Sequence, residues 1–203
     1  MIKILNLYAG IGGNRKLWTG DIEVTAVEMN PLIAQIYRDF FPQDKVIVGD
    51  AHQYLIEHYQ EFDFIWASPP CPSHSRVRRS NPLQNKPIYP DMKLYEEIIF
   101  LQHNFNGKFV IENTLAYYEP LIRAFKMGNH LYWSNFIIPD KKSDPRKHDG
   151  TIEELEKRKG FNLSQFKNID KTKILRNCVE PEDGLYVFNC AFKDKQTILE
   201  VQH

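Results

Sequence analysis

The chain has 203 residues, with 26 Lys plus Arg and 26 Asp plus Glu, which allows one domain with a single core and gives no net charge. A nucleic acid would therefore have to bind a local basic patch, because the chain has no general positive excess. The three cysteines have no CxxC spacing, which excludes an obvious metal or disulfide framework and predicts a reducing, cytoplasmic setting. We expect no signal peptide, because Met1-Ile2-Lys3 leads directly into a strand-like run. We expect no membrane helix, because no apolar run approaches about 18 residues.

The first apolar run, residues 2–8, predicts a buried parallel strand. A glycine-rich turn from Ala9 to Asn14 follows, and then a helical stretch through Trp18. Such a turn lets the backbone approach a ligand closely and points free amides at it. Glycine-rich turns are also common without any ligand, so this feature alone does not decide the function.

Acidic residues end the next two predicted strands. Strand 22–27 ends in Glu28, and strand 45–48 is followed by Asp50 and Ala51. An acid after the second strand can accept hydrogen bonds from ribose hydroxyls. An acid after the third could bind an adenine amino group, although either acid could instead be solvated. Together with the glycine turn, they predict a cofactor of the adenosine type.

A fourth apolar run, residues 62–67, delivers the turn Ser68-Pro69-Pro70-Cys71 to the same sheet edge. The two prolines fix φ and remove two backbone donors, so Cys71 is held on a stiff, non-helical turn. A thiol presented in this way is a candidate nucleophile. The alternative is that Cys71 is a small buried hydrophobic residue.

Two further features surround this thiol. The loop of residues 76–87 is basic and broken by prolines, and it predicts contact with a phosphate backbone, with a solvated surface loop as the alternative. Strand 108–111 ends in Glu112, which therefore lies at the same sheet edge as Cys71. A carboxyl group beside a thiol suggests acid catalysis on a polarised ring.

The remaining elements complete an α/β fold: a mainly parallel seven-stranded sheet with helices on both faces, in a single domain spanning residues 1–203. They are predicted helices at 32–41, 92–104 and 121–125, one or two strands within 129–138, a polar segment at 140–176 with a helix near 151–159, and a closing helix after 179. The polar segment is interpreted as a small insertion or recognition segment.

Assembled in order, these residues resemble the DNA cytosine-5 methyltransferase family. The turn from Leu7 to Gly13 is similar to the family's Phe-x-Gly-x-Gly motif, with Tyr8 in place of Phe. Pro69-Pro70-Cys71 resembles the catalytic Pro-Cys, and Glu112-Asn113-Thr114 resembles Glu-Asn-Val. Asn177-Cys178-Val179 is similar to the late Gly-Asn-x-Val motif that returns the chain to the cofactor pocket.

The resemblance implies a Rossmann-like fold that uses S-adenosyl-L-methionine, with Cys71 and Glu112 catalytic and no metal. The implied cofactor contacts are Tyr8, Ala9, Gly10, Ile11, Gly12, Gly13, Glu28, Met29, Asp50, Ala51, Pro69, Asn177 and Val179. The implied DNA contacts are Ser75, Arg76, Arg78 and Arg79. The thiolate would add to carbon 6 of cytosine so that carbon 5 can accept the methyl group, and this would require the pKa of Cys71 to be lowered. A role in restriction–modification would fit this activity.

Two departures leave alternatives open. The Gln-x-Arg-x-Arg motif expected after Glu-Asn-Val is not recognisable, and only residues 140–176 could serve target recognition, so a homodimer or partner subunit could be needed. Cytosine-5 methylation of RNA and a non-catalytic nucleic-acid-binding accessory protein on the same fold are therefore kept as alternatives. An amino-group methyltransferase is disfavoured, because that family places an aromatic residue where this chain has Cys71.

Overall fold

The computed structural model describes residues 1–79, 86–141 and 150–193, with residues 78 and 79 described in backbone only. Within these residues, seven strands form one sheet. The strands are β1 (Ile2–Leu7), β2 (Ile22–Glu28), β3 (Lys45–Val48), β4 (Phe64–Ala67), β5 (Lys108–Thr114), β6 (Phe125–Met127) and β7 (His130–Ser134). The helices are α1 (Pro31–Phe40), α2 (Ala51–His58), α3 (Lys93–Asn104), α4 (Ile152–Lys159), α5 (Lys171–Asn177) and α6 (Pro181–Ala191), with 3₁₀ turns at Tyr59–Glu61 and Arg76–Arg79.

The sheet order is β3-β2-β1-β4-β5-β7-β6. Strands β1 to β5 pair in parallel, whereas β7 pairs antiparallel with both β5 and β6. The central strands are buried on both faces, which is why their sequences read as continuous apolar runs rather than alternating ones. The mainly parallel seven-stranded sheet is thereby confirmed.

The register of the parallel strands sets up the site. Leu7 of β1 pairs with Val27 of β2 on one side and with Ala67 of β4 on the other, and Ala67 pairs with Ile111 of β5. The residues that follow these four positions therefore emerge level with one another at the carboxyl edge of the sheet. They are Tyr8, Glu28, Ser68 and Glu112.

Helices cover both faces of the sheet, as expected. On one face α2 and α3 pack through Leu55 and Ile98 against Leu5 and the other inward residues of β1 and β4. On the other face Phe188 of α6 packs with Trp18 against the opposite side of the same strands. Alternate residues of each central strand thus enter two separate apolar layers.

Two predicted helices are wrong. Residues 13–17 form successive turns, because contacts distant along the chain hold them: the Asn14 side chain pairs with buried Asn6, and the Arg15 side chain pairs with Asp44. Residues 121–125 are also not helical. The Leu121 N–H donates to the Tyr95 hydroxyl, and Phe125 begins strand β6.

The described part of the polar segment is packed against the core. Helix α4 begins with a capping box at Thr151, and Leu155, Phe161 and Leu175 are buried against α1. The expected helix near 151–159 is thus confirmed. A role of this segment in target recognition stays a prediction, and part of it (142–149) lies outside the described residues.

Among the described residues, no helix is long and apolar enough to cross a membrane.

Candidate active site

A cleft of about 1060 Å³ opens at the carboxyl edge of the sheet. The predicted site residues that line it are Tyr8, Ala9, Gly10, Ile11, Gly13, Glu28, Met29, Ala51, Pro69, Cys71, Arg76, Glu112, Asn177 and Val179. The cleft therefore brings together side chains from the ends of β1, β2, β4 and β5. This position agrees with the general rule that open α/β sheets bind ligands at their carboxyl edge.

Glu28 is fixed in this cleft by the backbone around it. The Gly10 N–H donates to Glu28 Oε2 at 3.0 Å, and the Asn30 N–H donates to Oε1 at 2.8 Å. Each carboxylate oxygen can accept a further hydrogen bond. Glu28 can thus receive two hydroxyl donors from a ligand without moving, which suits a ribose.

Gly13, at the other end of the glycine turn, packs closely against Cys178 and Val179, which follow α5. A Cβ on Gly13 would stand 2.2 Å from the Val179 carbonyl oxygen and 2.4 Å from Cys178 Sγ. Only glycine fits there. The close approach brings Val179 and Asn177 to the wall of the cleft beside the glycine turn.

A buried ion pair holds this returning segment. Lys159 of α4 is 1% exposed, and its Nζ donates to the Cys178 carbonyl at 2.5 Å and to Glu180 Oε1 at 2.8 Å. The pair ties α4 to the chain that closes over Gly13. Sequence reasoning missed Lys159, because a lysine at the end of an amphipathic helix is typical of a solvated surface.

Two predicted cofactor residues support the cleft without lining it. Asp50 caps α2, accepting from the His52 and Gln53 N–H groups, and lies beside a side chamber of about 100 Å³. Gly12, at φ +83°, lies where a Cβ would meet Phe41. Asp50 as an adenine ligand stays a prediction.

Cys71 is held as the proline turn predicts. Its carbonyl accepts hydrogen bonds from the His74 and Ser75 N–H groups, each at 3.0 Å. The Asn113 side chain donates to the Pro69 carbonyl at 3.0 Å, which ties the turn after β4 to β5. The thiol is half-buried and faces the same cleft as Glu112.

The electrostatic setting of the thiol differs from the expectation. Burial raises the pKa of Cys71, and the negative charge of Glu112 raises it further. Glu112 itself is buried, and His130 Nε2 lies 3.6 Å from its Oε1. At neutral pH this shift favours the thiol form of Cys71 over the thiolate.

Of the predicted nucleic-acid contacts whose side chains the structure describes, one lines the cleft and one does not. Arg76 is exposed and lines it, whereas Ser75 accepts a hydrogen bond from the Val77 N–H and bridges to Ala116. The side chains of Arg78 and Arg79 lie outside the described residues. Their role as nucleic-acid contacts stays a prediction.

Sequence reasoning did not single out the part of the cleft wall that α5 forms. Lys173 and Arg176 of α5 are exposed and line the cleft, together with residues 168–170. The two cations are three residues apart and so share one helix face, while Leu175 is buried on another. In the sequence, two cations at this spacing could have indicated an exposed basic helix face.

The residues present fit an adenosyl cofactor. Glu28 offers carboxylate oxygens to a ribose, Gly10 lies in open space where a ligand can approach its backbone, and Met29 adds apolar surface. Within the described ranges, no group of three or more His, Cys, Asp or Glu residues could hold a metal ion.

Comparisons with solved structures give matches of differing extent. DNMT2 of Spodoptera frugiperda, solved as an E260A/E261A/K263A mutant, is 27% identical over 56% of this chain and 36% of its own, with a TM-score of 0.40. The Entamoeba histolytica methyltransferase EhMeth is 11% identical over 95% of this chain and 98% of its own, with a TM-score of 0.56, a likeness of fold alone. SMU.776, solved in complex with SAH, is 16% identical over 56% of this chain and 31% of its own, with a TM-score of 0.40.

The chain thus spans about a third of the length of the matched DNMT2 structure. No match was found among curated proteins. The family model described as C-5 cytosine-specific DNA methylase matches residues 2–115, more than half of the chain, and includes the glycine turn, Cys71 and Glu112. The chain therefore belongs to the C-5 cytosine-specific DNA methylase family.

Proposed function

We propose that this protein transfers a methyl group from S-adenosylmethionine to carbon 5 of cytosine in DNA, through a covalent adduct with Cys71. The observation that carries the proposal is that Cys71 and Glu112, from the ends of neighbouring strands, line the same cleft as the glycine turn and Glu28. A nucleophile, an acid and a cofactor cradle in one cleft are what this chemistry requires.

Membership of the family indicates S-adenosylmethionine as the cofactor. When bound, it supplies an electrophilic methyl group. On this chain Glu28 would bind the ribose hydroxyls, the backbone of the Gly10 turn would lie along the cofactor, and Val179 would close the other side.

Cys71 makes carbon 5 reactive. Its sulfur forms a bond to carbon 6, and the ring's 5,6 double-bond electrons move so that carbon 5 becomes nucleophilic. After carbon 5 has gained the methyl group, a base removes the carbon 5 proton. The electrons of that C–H bond restore the double bond, and the Cys71 sulfur leaves.

Glu112 balances the charge of this addition. When the sulfur adds to carbon 6, the thiol proton would pass through Glu112 to ring nitrogen 3, which prevents negative charge from accumulating on the ring. When the sulfur leaves, that proton would return through Glu112 to the Cys71 thiolate. A hydrogen bond between Glu112 and ring nitrogen 3 would also occupy the Glu112 carboxylate, whose negative charge otherwise raises the pKa of Cys71. Entry of the base would therefore both activate the thiol and stabilise the adduct.

The target base must leave its stack to reach Cys71, at a cost of a few kcal/mol in a duplex. Arg76, Lys173 and Arg176 are exposed cations that line the cleft. Such cations suit the phosphates that flank an extruded nucleotide. Phosphate contacts of this kind serve RNA as well as DNA.

The experiment that tests the proposal measures transfer of labelled methyl from S-adenosylmethionine to duplex DNA, single-stranded DNA and RNA. The nucleosides are digested and identified by mass, with Cys71→Ala as the test variant and Cys190→Ala, a buried cysteine outside the cleft, as its matched control. We expect 5-methylcytosine from DNA with the wild type and the control, and none with Cys71→Ala. Label found only in RNA would show that RNA, and not DNA, is the substrate. No label in any polymer would favour the accessory-protein alternative.

A further inference from the structure

Tyr8, which stands where the family motif has phenylalanine, adopts a strained backbone conformation at the start of the glycine turn. Its φ is +55°, in the left-handed region that residues other than glycine rarely occupy. Such a conformation persists only where the surroundings hold it. The contacts of the tyrosine hydroxyl identify what does so here.

The Tyr8 hydroxyl donates a hydrogen bond to Glu97 Oε1. The same oxygen lies 2.9 Å from Nδ1 of His52. Glu97 is 1% exposed, and among the described residues its other oxygen has no hydrogen-bond partner. A buried carboxylate in mid-helix, bound through one oxygen to two side chains, thus joins β1, α2 and α3. We call these three residues the Tyr8–Glu97–His52 network.

The network acts directly on the cofactor turn. Tyr8 lines the cleft, the next residue is tied to the Val27 carbonyl, and the Gly10 N–H donates to Glu28. A change in the position of Tyr8 would therefore displace the Gly10 N–H, which is one of the two groups that fix Glu28. A phenylalanine at this position would fill the same space without fastening the turn to Glu97.

We propose that the Tyr8–Glu97–His52 network is a positioning unit that sets the affinity of the glycine turn for the cofactor and makes that affinity depend on pH. The inference rests on the proposed cofactor site. Its three residues act through the turn and through Glu28, and none of them is assigned a chemical step.

The charges around the network give the sign of the pH dependence. The hydrogen bond to Glu97 raises the pKa of His52, and burial raises the pKa of Tyr8, which therefore remains a donor. The charged and titratable groups that face the network are Glu96, Glu97 and Lys93 around His52, and Glu97, Asp50 and Asp91 around Tyr8. Protonated His52 offsets the buried charge of Glu97. That offset is complete below the ordinary pKa of about 6.5 and is lost as pH rises through the raised value.

The test is calorimetric binding of S-adenosylhomocysteine to the whole chain at about pH 6 and about pH 9. Tyr8→Phe is expected to weaken binding roughly tenfold at the lower pH, by removing a hydrogen bond to a charged group. Tyr89→Phe, at a tyrosine that is 96% exposed, is the matched control and should bind as the wild type does. Thermal unfolding of each variant verifies that it is folded.

His52→Asn tests the pH dependence of the affinity, which would not change if His52 had only a structural role. Asparagine can still donate to Glu97 but does not titrate, so the loss of affinity between the two pH values should be smaller than in the wild type. Any titration of the ligand itself is common to both proteins. Equal affinity of Tyr8→Phe and the wild type would overturn the proposed role of the network. An unchanged pH dependence in His52→Asn would overturn it as well. If the wild type binds no S-adenosylhomocysteine, the proposed cofactor site itself is wrong.

Discussion

Glu112, at the end of β5, adds its negative charge to the effect of burial on Cys71, and both raise the pKa of the thiol. The two side chains on which the proposed chemistry depends thus oppose each other in the free protein. A nucleophile kept as a thiol until a base arrives is protected from oxidation and alkylation. The relationship predicts how the reactivity of Cys71 responds to Glu112.

Glu112→Gln should make Cys71 react severalfold faster with iodoacetamide at neutral pH, because the pKa of the thiol falls and more thiolate is present. The reason is that the substitution removes the charge and leaves only burial to raise the pKa. The measurement is the pH dependence of the alkylation rate, with labelling at Cys71 verified by peptide mass. Cys178 and Cys190 are buried and should react slowly.

The same variant should lose methyl transfer, because the glutamine side chain cannot pass a proton to the ring. Glu119→Gln, at an exposed acid, is the control. Slower alkylation of Cys71 in Glu112→Gln would contradict the electrostatic relationship, whatever happens to activity.

Gly13→Ala should weaken the binding of S-adenosylhomocysteine by roughly tenfold or more, because overpacking typically costs 1–3 kcal/mol. The new Cβ would meet the Val179 carbonyl oxygen, which belongs to the backbone that closes the cleft and so has to shift. The matched control is Gly49→Ala, whose Cβ would find its nearest neighbour at 3.9 Å. Equal affinity of the two variants would contradict the close approach.

Lys159→Met should lower the free energy of unfolding by about 3–5 kcal/mol, since it leaves the buried carboxylate of Glu180 without its closest partner. Chemical denaturation measures this loss. Replacing both residues, as Lys159→Met with Glu180→Leu, should recover part of it, because the buried charge is then removed. A double variant no more stable than the single one would count against the ion pair as the cause.

Lys173→Gln and Arg176→Gln should each weaken DNA binding at every sequence and reduce the salt slope of the affinity by about one. The expected cause is the loss of one phosphate contact at the cleft mouth. Lys3→Gln, at the amino end of β1 and away from the cleft, is the control. Salt slopes that match the control would remove α5 from the nucleic-acid surface.

Much of the sheet and of the site's edge could be predicted because parallel strands buried on both faces leave continuous apolar runs. The runs that end before Tyr8, Glu28, Ser68 and Glu112 show where each strand stops, and strand ends meet at one edge. Local pattern alone was therefore enough to bring Cys71 and Glu112 together, and to place Glu28 near the glycine turn.

What the sequence did not reveal depends on contacts distant along the chain. Residues 13–17 are not helical because Asn14 pairs with Asn6 and Arg15 with Asp44. Glu97 in mid-helix is typical of a surface acid, and only the fold places it beneath Tyr8. The sign of the pKa shift of Cys71 likewise depends on its burial, which a proline turn does not predict.

The central claim is that Cys71 adds to cytosine, and the most direct measurement traps that adduct. DNA carrying 5-fluorocytosine blocks the last step, because carbon 5 then has no proton to lose and the sulfur cannot leave. After incubation with S-adenosylmethionine and digestion, mass spectrometry should find the peptide containing Cys71 joined to the methylated nucleotide. If methyl transfer to ordinary cytosine proceeds and no such adduct forms, or the adduct forms on another residue, the account of Cys71 as the nucleophile is contradicted.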